Sequence, residues 1–500
     1  METHRAAVEA IAARVRHFYD TKTAFRVYHG STNSTRHAGF DRDAIVDVSG
    51  LNRVLSIDRE RMVAVVEPNV PMDGLVGETL KDGLLPPVVM EFPGITVGGG
   101  FVGTAGESSS FKYGFFDRTV LSVEVVLADG EVVKASPTEN QELFEGLRGS
   151  FGTLGVLTLV EVQLIEVGRY VEVNYIPTHS FEHATQTLQQ ETRKPDIDYV
   201  DGILFSKSSG VIVTGRLTTN PASASLPIRH FSRPWNEWFW IHAKSLCSAA
   251  NATPTTELVP IQDYLFRYDR GAFWTGMYAF RHFMVPFTWL TRLLLDYFMH
   301  TRIMYHALHA SGHTDRYIIQ DIAFPAANTT SFIKWVDQNL GLYPLWLCPL
   351  RNDARSSMGH ARRRDGSGGD SPYINVGVWG PYPSPEAEYV RMNRALENKT
   401  HELSGLKWLY GRVFYTDDEW WNVYDQPAYD ALRRKYRATS LPTVWEKVRD
   451  RGSKKVEREP GFKGLLKRIV KGNGFLSGVY GVWKALGGGD YLLGRKKKVN

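Results

Sequence analysis

Cysteine is scarce in this chain of 500 residues, which contains only Cys247 and Cys348. Two cysteines far apart in the sequence exclude a disulfide framework, and no cluster has metal-ligand spacing, so no metal site is predicted. This usage is typical of a reducing compartment. No stretch reaches the roughly 18 consecutive apolar residues of a transmembrane helix. The first 20 residues contain no long apolar run, so neither a secretory signal nor a membrane anchor is predicted.

An excess of charge is also largely missing, because the formal net charge is only +5. The near balance of acidic and basic residues gives no reason to expect a nucleic-acid partner, although the last fifty residues are distinctly basic. The sequence has neither GxGxxG after an early strand nor GxxxxGK[ST], which argues against a Rossmann dinucleotide site and a P-loop. Aromatic residues make up 12% of the sequence, which favours a pocket for a bulky apolar ligand or a well-filled core.

Glycine is abundant in one stretch, residues 91–114, where seven of 24 residues are Gly and Ser or Thr fill many gaps. Strong strand patterns follow it in VLSVEVVLADGEVV. A Gly-rich loop lets several backbone N–H groups converge on one anion. The simpler alternative is a tight connection in an all-β domain.

Two further loops of the same kind follow predicted strands or lead into them. We expect the strand 25–28 to lead into HGSTNST, and the loop LRGSFGTLGV to lead into the strand VLTLVEVQLI. A short amphipathic helix over residues 4–20 and a helix over 70–83 make the domain α+β or α/β. Three backbone-rich loops suit an extended ligand with a pyrophosphate and two ring systems. The candidate cofactor-binding residues are His29, Gly30, Ser31, Thr32, Asn33, Ser34, Thr96, Gly98, Gly99, Gly100, Gly103, Thr104, Ser108, Ser109, Gly149, Gly152, Gly155 and Val156.

The three loops resemble the FAD-binding domain of the vanillyl-alcohol oxidase superfamily, the p-cresol methylhydroxylase (PCMH) type. Within it, TVGGGFVGTAGESSSFKYGFF, VLADG and LFEGLRGSFGTLGVLT resemble the Δ24-sterol reductases, the 24-dehydrocholesterol reductase or DIMINUTO group. Three later segments agree with this resemblance, namely YPLWLCP, YGRVFYTDDEWWNVYD and YDALRRKY. The resemblance extends over roughly residues 25–450.

The resemblance implies an α+β fold, with a PCMH-type flavin domain of two α/β subdomains and an α/β cap domain for the substrate. We assign residues 1–168 to the flavin domain and 169–450 to the cap, whose C-terminal segment returns to the flavin domain. Residues 451–500 form a basic tail suited to a membrane surface. The implied activity is reduction of a carbon–carbon double bond in the side chain of a sterol or related lipid, by an oxidoreductase acting on a CH–CH group.

The implied cofactor is FAD, with NADPH as the reductant in the family. Many members carry a His in the first loop that bonds covalently to the flavin, and Asn33 stands where that His would be. Because an amide cannot form that bond, we expect non-covalent FAD. His29 lies on the wrong side of Gly30 for the role.

Reduction of an isolated alkene needs a proton donor across from the hydride source and a dry pocket. The candidate catalytic residues are Glu107, Lys112 and Tyr410. Each has a simpler explanation: Glu107 as an acceptor that ties down the loop, Lys112 as a counter-ion for a phosphate or the flavin, and Tyr410 as pocket wall. If residues 408–415 form a strand, Tyr410 and Tyr415 point to opposite faces, and Tyr410 is preferred as the donor.

Residues 233–309 are rich in Trp, Phe, Met and Leu, which favours a core helix pair of the cap or an apolar surface that admits a lipid from a membrane.

Residues 351–372 are interpreted as a polar surface loop whose arginines are solvated. The pattern at 462–471 is that of a basic interfacial helix or a disordered tail. The KKVN ending matches a K-K-x-x retrieval signal, with chance within a basic tail as the alternative. The expected location is the endoplasmic-reticulum membrane or the cytoplasm.

Three alternative functions stay open at this point. The same flavin domain could isomerise a double bond or oxidise an alcohol with O2, on a secondary metabolite such as a triterpenoid or polyketide. A catalytically silent, membrane-associated flavin-fold protein is an alternative from a different class. Intact glycines in all three loops argue against the silent protein, since a protein without cofactor has no need of them. The sequence does not define the oligomeric state.

Overall fold

The structure is a computed structural model that describes residues 1–36, 40–219, 226–247, 253–352, 371–450, 474–487 and 492–493. Most of the predicted polar loop 351–372, the predicted interfacial helix 462–471 and the KKVN ending therefore lie outside the described residues.

The described residues form 17 strands, which we number in sequence order. They are β1 (Arg26–Tyr28), β2 (Ile45–Asp47), β3 (Val54–Asp58), β4 (Val63–Val66), β5 (Leu84–Leu85), β6 (Val120–Leu127), β7 (Val132–Ala135), β8 (Gly155–Gln163), β9 (Ile165–Glu166), β10 (Tyr170–Thr178), β11 (Tyr199–Ser206), β12 (Ser209–Thr218), β13 (Thr255–Pro260), β14 (Tyr317–Pro325), β15 (Leu345–Asn352), β16 (Ser371–Pro381) and β17 (Leu406–Lys407).

The same residues form 17 α-helices, most of them short. They are α1 (Glu2–Asp20), α2 (Met72–Thr79), α3 (Val97–Val102), α4 (Ser110–Tyr113), α5 (Gln141–Leu147), α6 (Phe181–Glu191), α7 (Phe239–Cys247), α8 (Ile261–Leu265), α9 (Thr275–His282), α10 (Trp289–Leu294), α11 (Thr301–Ser311), α12 (Ala326–Asn339), α13 (Glu386–Glu402), α14 (Asp417–Val423), α15 (Gln426–Lys435), α16 (Val444–Val448) and α17 (Gly474–Leu486). This mixture confirms the predicted α+β fold class.

The first half of the molecule is built on an antiparallel sheet with the order β3-β4-β8-β6-β7, as the described residues define it. Helix α1 buries Val8, Ile11, Val15 and Phe18 on one face, because residues three and four apart lie above one another on a helix. The predicted amphipathic helix over 4–20 is confirmed.

The Gly-rich stretch was predicted as a loop, and that prediction is wrong for part of it, because Val97–Val102 form α3. Thr96 begins this helix, and its Oγ1 accepts a hydrogen bond from the N–H of Gly99 at 3.2 Å. Gly98 leaves room for close packing, since a Cβ there would lie 2.7 Å from the Cβ of Pro68. Glycine thus serves helix packing at this position.

The second half is built on a larger antiparallel sheet, in which the described strands have the order β13-β10-β12-β11-β15-β16-β14-β17. Helices α6, α12 and α13 pack on one of its faces, over a core that includes Leu345 and Leu347. Because successive residues of a strand point to opposite faces, Trp346 and Cys348 point away from these helices. The face that carries Trp346 and Cys348 covers the cavity described below.

The aromatic stretch 233–309 was interpreted as a core helix pair, and its described residues instead form strand β13 and the short helices α7, α8, α9, α10 and α11. Trp238 and Trp274 are buried, as the core interpretation requires. Helix α10 buries none of its residues, as the lipid-surface interpretation requires. The stretch therefore contributes both to the core and to an exposed apolar surface.

Residues 408–450 follow β17 and contact the first half of the molecule. The hydroxyls of Tyr429 and Thr153 hydrogen-bond at 2.7 Å, and Arg437 forms an ion pair with Asp129. Residues 408–415 do not form the strand on which the comparison of Tyr410 with Tyr415 was conditional, since β17 ends at Lys407 and a turn follows.

Helix α17 lies against α11. A Cβ on Gly481 would lie 2.6 Å from the carbonyl oxygen of Ala307, so a larger residue at this position would not fit. Within the described ranges, no helix is both long enough and apolar enough to cross a bilayer.

Candidate functional site

A cavity of about 500 Å³ lies between the two sheets and is lined by both halves of the molecule. One end is lined by polar and glycine residues of the first half. The other end is lined by aromatic side chains, among them Phe273, Trp346 and Trp379, whose ring centroids lie 4.5 to 5.7 Å apart. This arrangement suits a ligand with one polar end and an apolar or aromatic other end.

The structure brings all three predicted loops to this cavity. The candidate cofactor residues that line it are His29, Ser31, Thr32, Asn33, Ser34, Thr96, Gly98, Gly99, Gly103, Gly152 and Gly155. The other candidates, Gly30, Gly100, Thr104, Ser108, Ser109, Gly149 and Val156, are not among the lining residues. The backbones of the three loops therefore meet at one place.

Contacts with later parts of the sequence hold the first loop in position. The N–H of Thr35 and the hydroxyl of Ser34 both donate to the carbonyl of Tyr410, at 3.1 and 2.8 Å. An imidazole nitrogen of His309 on α11 lies 2.8 Å from the Ser34 carbonyl oxygen. The loop that begins at His29 is therefore shaped by residues almost 300 and 400 positions later, which sequence patterns do not predict.

Three cations line the polar end, namely Arg26, Arg36 and Lys447, and sequence reasoning identified none of them. Burial, together with repulsion from Arg26 and Arg36, lowers the pKa of Lys447 to about 7. Burial and the charge of Arg26 lower the pKa of Arg36 to about 9. Lys447 also donates to the carbonyl of Phe151, in the third loop. Cations that repel one another in a buried place gain from an anion bound between them.

A carboxylate network lies on the sheet face at the aromatic end. Asp321 on β14 accepts a hydrogen bond from the Tyr410 hydroxyl at 2.6 Å and another from the Asn375 amide at 2.7 Å. Burial raises the pKa of Asp321 to about 6. Asp321, Asn375 and Tyr410 all line the cavity. Sequence reasoning missed Asp321 and Asn375. Each is a polar residue on the inward side of an otherwise apolar strand, and this pattern could have identified them.

A second pair of carboxyl groups, Glu91 and Glu107, flanks α3. Both are buried, and each carboxyl group shifts the pKa of the other. Glu91 lines the cavity and Glu107 lies behind it. Oε1 of Glu107 accepts from the Ser108 hydroxyl at 2.6 Å and lies 3.9 Å from Nη1 of Arg267. Glu107 was a predicted candidate, whereas Glu91 was not identified from the sequence.

The three predicted catalytic residues lie in different places. Tyr410 lines the cavity. Glu107 does not line it, but its neighbour Glu91 does. The Lys112 ammonium lies outside the cavity lining and forms a 2.7 Å ion pair with Asp198. Its counter-ion in the structure is therefore a carboxylate of the second half.

Comparison with known proteins relates this cavity to a family. Residues 6–136 match the family of FAD binding domains. The sequence is 28% identical to Delta(24)-sterol reductase of Homo sapiens over 405 residues, which cover 79% of this protein and 76% of the human protein. It is 29% identical to Delta(24)-sterol reductase of Pisum sativum over 455 residues, which cover 83% and 78%. The protein has an FAD binding domain and is homologous to Delta(24)-sterol reductases. The resemblance stated from the sequence is confirmed.

A further relative is an oxidase and not a sterol reductase. The sequence is 26% identical to L-gulonolactone oxidase of Mus musculus over 201 residues, which cover 40% of this protein and 42% of that oxidase. The similarity to sterol reductases thus extends over about twice as many residues as the similarity to this oxidase.

The residues around the cavity fit FAD. Nδ1 of His29 is buried at the polar end without a hydrogen-bond partner, which leaves it available to a ligand. Burial and the charge of Lys447 lower the pKa of His29 to about 4, so the ring is neutral at pH 7. Lys447 and Arg36 would hold the diphosphate, together with the backbone of the three loops, and the aromatic end would take the ring system.

Proposed function

We propose that this protein is an FAD-dependent oxidoreductase that reduces a carbon–carbon double bond in the side chain of a sterol or related lipid. The observation that carries the proposal is the homology to Delta(24)-sterol reductases over about 80% of the sequence. The aromatic end of the cavity supports it, because the side chain of a sterol is apolar and needs such walls.

When bound, FAD supplies hydride chemistry at N5, and NADPH is the proposed source of the electrons. The protein must supply the proton. In a Δ24 alkene, a proton on C24 leaves a tertiary cation at C25, which takes up the hydride. Phe273, Trp346 and Trp379 exclude water from this end and so protect the cation from hydration. The buried carboxyl groups beside them are candidate proton donors.

The proposal includes a membrane surface as the place where the lipid enters. Trp289, Leu290 and Leu294 on α10 are more than half exposed, and so is Trp483 on α17. Helix α17 also contributes Gly478 and Val482 to the cavity lining. Exposed apolar residues beside an apolar cavity suit transfer of a substrate out of a bilayer.

The test is an anaerobic titration of the purified, FAD-loaded protein. NADPH is expected to bleach the visible absorbance of the flavin, and a Δ24 sterol is expected to restore it. Acid precipitation is expected to leave the flavin in the supernatant, because Asn33 cannot bond to it covalently. Failure of NADPH to bleach the flavin would contradict the proposal.

A second candidate function is oxidation of an alcohol with O2, which the similarity to L-gulonolactone oxidase favours. In that case an alcohol, and not NADPH, bleaches the flavin. Isomerisation would move the double bond without net reduction, and a colourless protein that cannot be loaded with FAD would support the non-catalytic alternative.

A further inference from the structure

Two carboxyl groups that lie against each other in a buried place cannot both be ionised, so they share a proton. Glu91 and Glu107 are such a pair, because both are buried and each carboxyl group shifts the pKa of the other. Helix α3 lies between them in the sequence. Glu91 is the member that lines the cavity.

We propose that Glu91 is the acid that protonates the substrate alkene, and that Glu107 is a positioning residue that keeps the proton on Glu91. This inference rests on the proposed function, because it names the proton donor of that reaction.

The surroundings of the pair decide which member holds the proton. Burial raises the pKa of Glu107 as well, but the Ser108 hydroxyl and the Arg267 guanidinium, which lies 3.9 Å from Oε1, favour its ionised form. Burial, the charge of Glu107 and the hydrogen bond between the two carboxyl groups raise the pKa of Glu91 well above its usual range. The charge of Asp321 acts in the same direction. Glu91 is therefore a neutral carboxylic acid at pH 7.

The other candidate donors at the cavity are engaged elsewhere. The Tyr410 hydroxyl donates to Asp321, and both carboxylate oxygens of Asp321 accept hydrogen bonds. Asp321 is thereby held as an acceptor, with no donor hydrogen directed at a substrate. The titratable groups that face the pair from the surrounding elements are Asp201, Arg267, Asp321, Cys348, Tyr199 and Tyr264.

The protonation and hydride steps balance in charge and atoms. The alkene π electrons form a C–H bond with the Glu91 proton, and the O–H electrons stay on the Glu91 carboxylate. The new carboxylate stabilises the cation that remains on the adjacent carbon, to which bound, reduced FAD would supply the hydride. A proton from water restores Glu91, so each turnover consumes one hydride and one proton.

The kinetic test uses FAD-loaded protein whose flavin has been reduced chemically, so that NADPH is not needed. Glu91→Gln keeps the size of the residue and its hydrogen bond but has no acidic proton. We expect the rate of flavin reoxidation by a Δ24 sterol to fall about 10²- to 10⁴-fold, with sterol affinity unchanged. Glu191→Gln is the matched control, because Glu191 is also buried and pairs with Lys194 outside the cavity.

Glu107→Gln tests the positioning role through the pH profile. Without the negative charge of Glu107, the pKa of Glu91 falls, and Glu91 loses its proton at lower pH. The reoxidation rate should then begin to decline at a lower pH than in the unaltered protein. A purely structural role of Glu107 would lower the rate by the same factor at every pH, and that result would overturn this part of the proposal.

An infrared measurement tests whether Glu91 carries a proton without depending on turnover of the sterol. The unaltered protein at pH 7 should show the C=O stretch of a protonated carboxylic acid, which Glu91→Gln should remove. The donor assignment is overturned if the band persists in Glu91→Gln, or if Asp321→Asn abolishes reoxidation while Glu91→Gln does not. If the unaltered protein is not reoxidised by the sterol at all, the proposed function fails, whatever the infrared band shows.

Discussion

At the scale of single residues, the polar end of the cavity is defined by cations that belong to no sequence motif. Lys447 and Arg36 lie more than 400 positions apart and both line the cavity, where Arg26 adds a third positive charge. The glycine loops supply backbone N–H groups, and these two residues add full positive charges. An anion bound there offsets both the repulsion and the loss of hydration.

This leads to a prediction about the pH dependence of FAD binding. The pKa of Lys447 is about 7 without an anion, and a bound diphosphate raises it, so binding takes up a proton. FAD affinity should be constant below pH 7 and should fall as the pH rises above 7, until the pKa of the complex is passed. Equilibrium titration of the apoprotein with FAD between pH 6 and pH 9 measures this.

The variant Lys447→Met should remove this pH dependence and weaken FAD binding roughly tenfold or more at pH 6, the loss expected for one charge-assisted hydrogen bond. Lys399→Met is the control, since Lys399 pairs with Glu402 on α13 away from the cavity. Equal pH dependence in Lys447→Met and in the unaltered protein would contradict the assignment.

At the scale of elements, α10 and α17 present an apolar surface beside the cavity. The exposed residues of this apolar rim are Trp289, Leu290, Leu294, Phe475, Val479 and Trp483. The rings of Phe283 and Phe475, 5.9 Å apart, connect the segment before α10 with α17. Glycine allows this contact, since a Cβ on Gly478 would lie 2.8 Å from the Phe283 ring.

We predict that the apolar rim binds lipid vesicles. A large apolar side chain that leaves water completely contributes about 1.5 to 3 kcal/mol. Because two such side chains are replaced, Trp289→Ser with Trp483→Ser should reduce partitioning about tenfold or more. Flotation with phosphatidylcholine vesicles, with and without phosphatidylserine, measures the bound fraction.

The matched control for the apolar rim replaces two exposed apolar residues of the first sheet, Leu121→Ser and Val132→Ser. These changes should leave flotation unchanged, because they lie on a different surface. Loss of binding in the control, or unchanged binding in the tryptophan variant, would contradict the assignment of this surface.

At the scale of the whole molecule, residues 408–450 join the two halves and complete the cavity. Tyr410 and Lys447 line the cavity, and Tyr429 lies between them in the sequence. The Tyr429 hydroxyl pairs with Thr153 and accepts from the N–H of Val444 at 3.2 Å. Stability and cofactor binding should therefore depend on the same contacts.

We predict that Tyr429→Phe lowers both the stability of the protein and its affinity for FAD. Removal of the hydroxyl leaves the buried groups of Thr153 and Val444 without this partner, at a cost of about 1 to 3 kcal/mol. The temperature at which FAD is released, followed by flavin fluorescence, should fall. Tyr19→Phe on the exposed side of α1 is the control and should not change it. An unchanged release temperature in Tyr429→Phe would show that this contact does not hold the halves together.

The sequence by itself determined those features that depend on neighbouring residues. Periodicity identified α1 and the strands β6 and β8, because burial of one face imposes a repeat on adjacent residues. The quoted motifs identified an FAD binding domain and its relatives, and their glycines marked three loops that do meet at one cavity. The local pattern failed at α3 and at residues 408–415, where packing overrides it.

Only the tertiary structure decided the chemistry of the cavity. Glu91 opens the Gly-rich stretch, but nothing in the sequence marks it as a site residue, and its significance depends on its burial near Glu107 and on its place in the cavity lining. Asp321 and Asn375 become neighbours because β14 and β16 pair in one register, and Lys447 reaches the third loop because the C-terminal segment returns. The physical reason is that pKa values and ligand contacts depend on distance and burial, which folding sets between residues far apart in sequence.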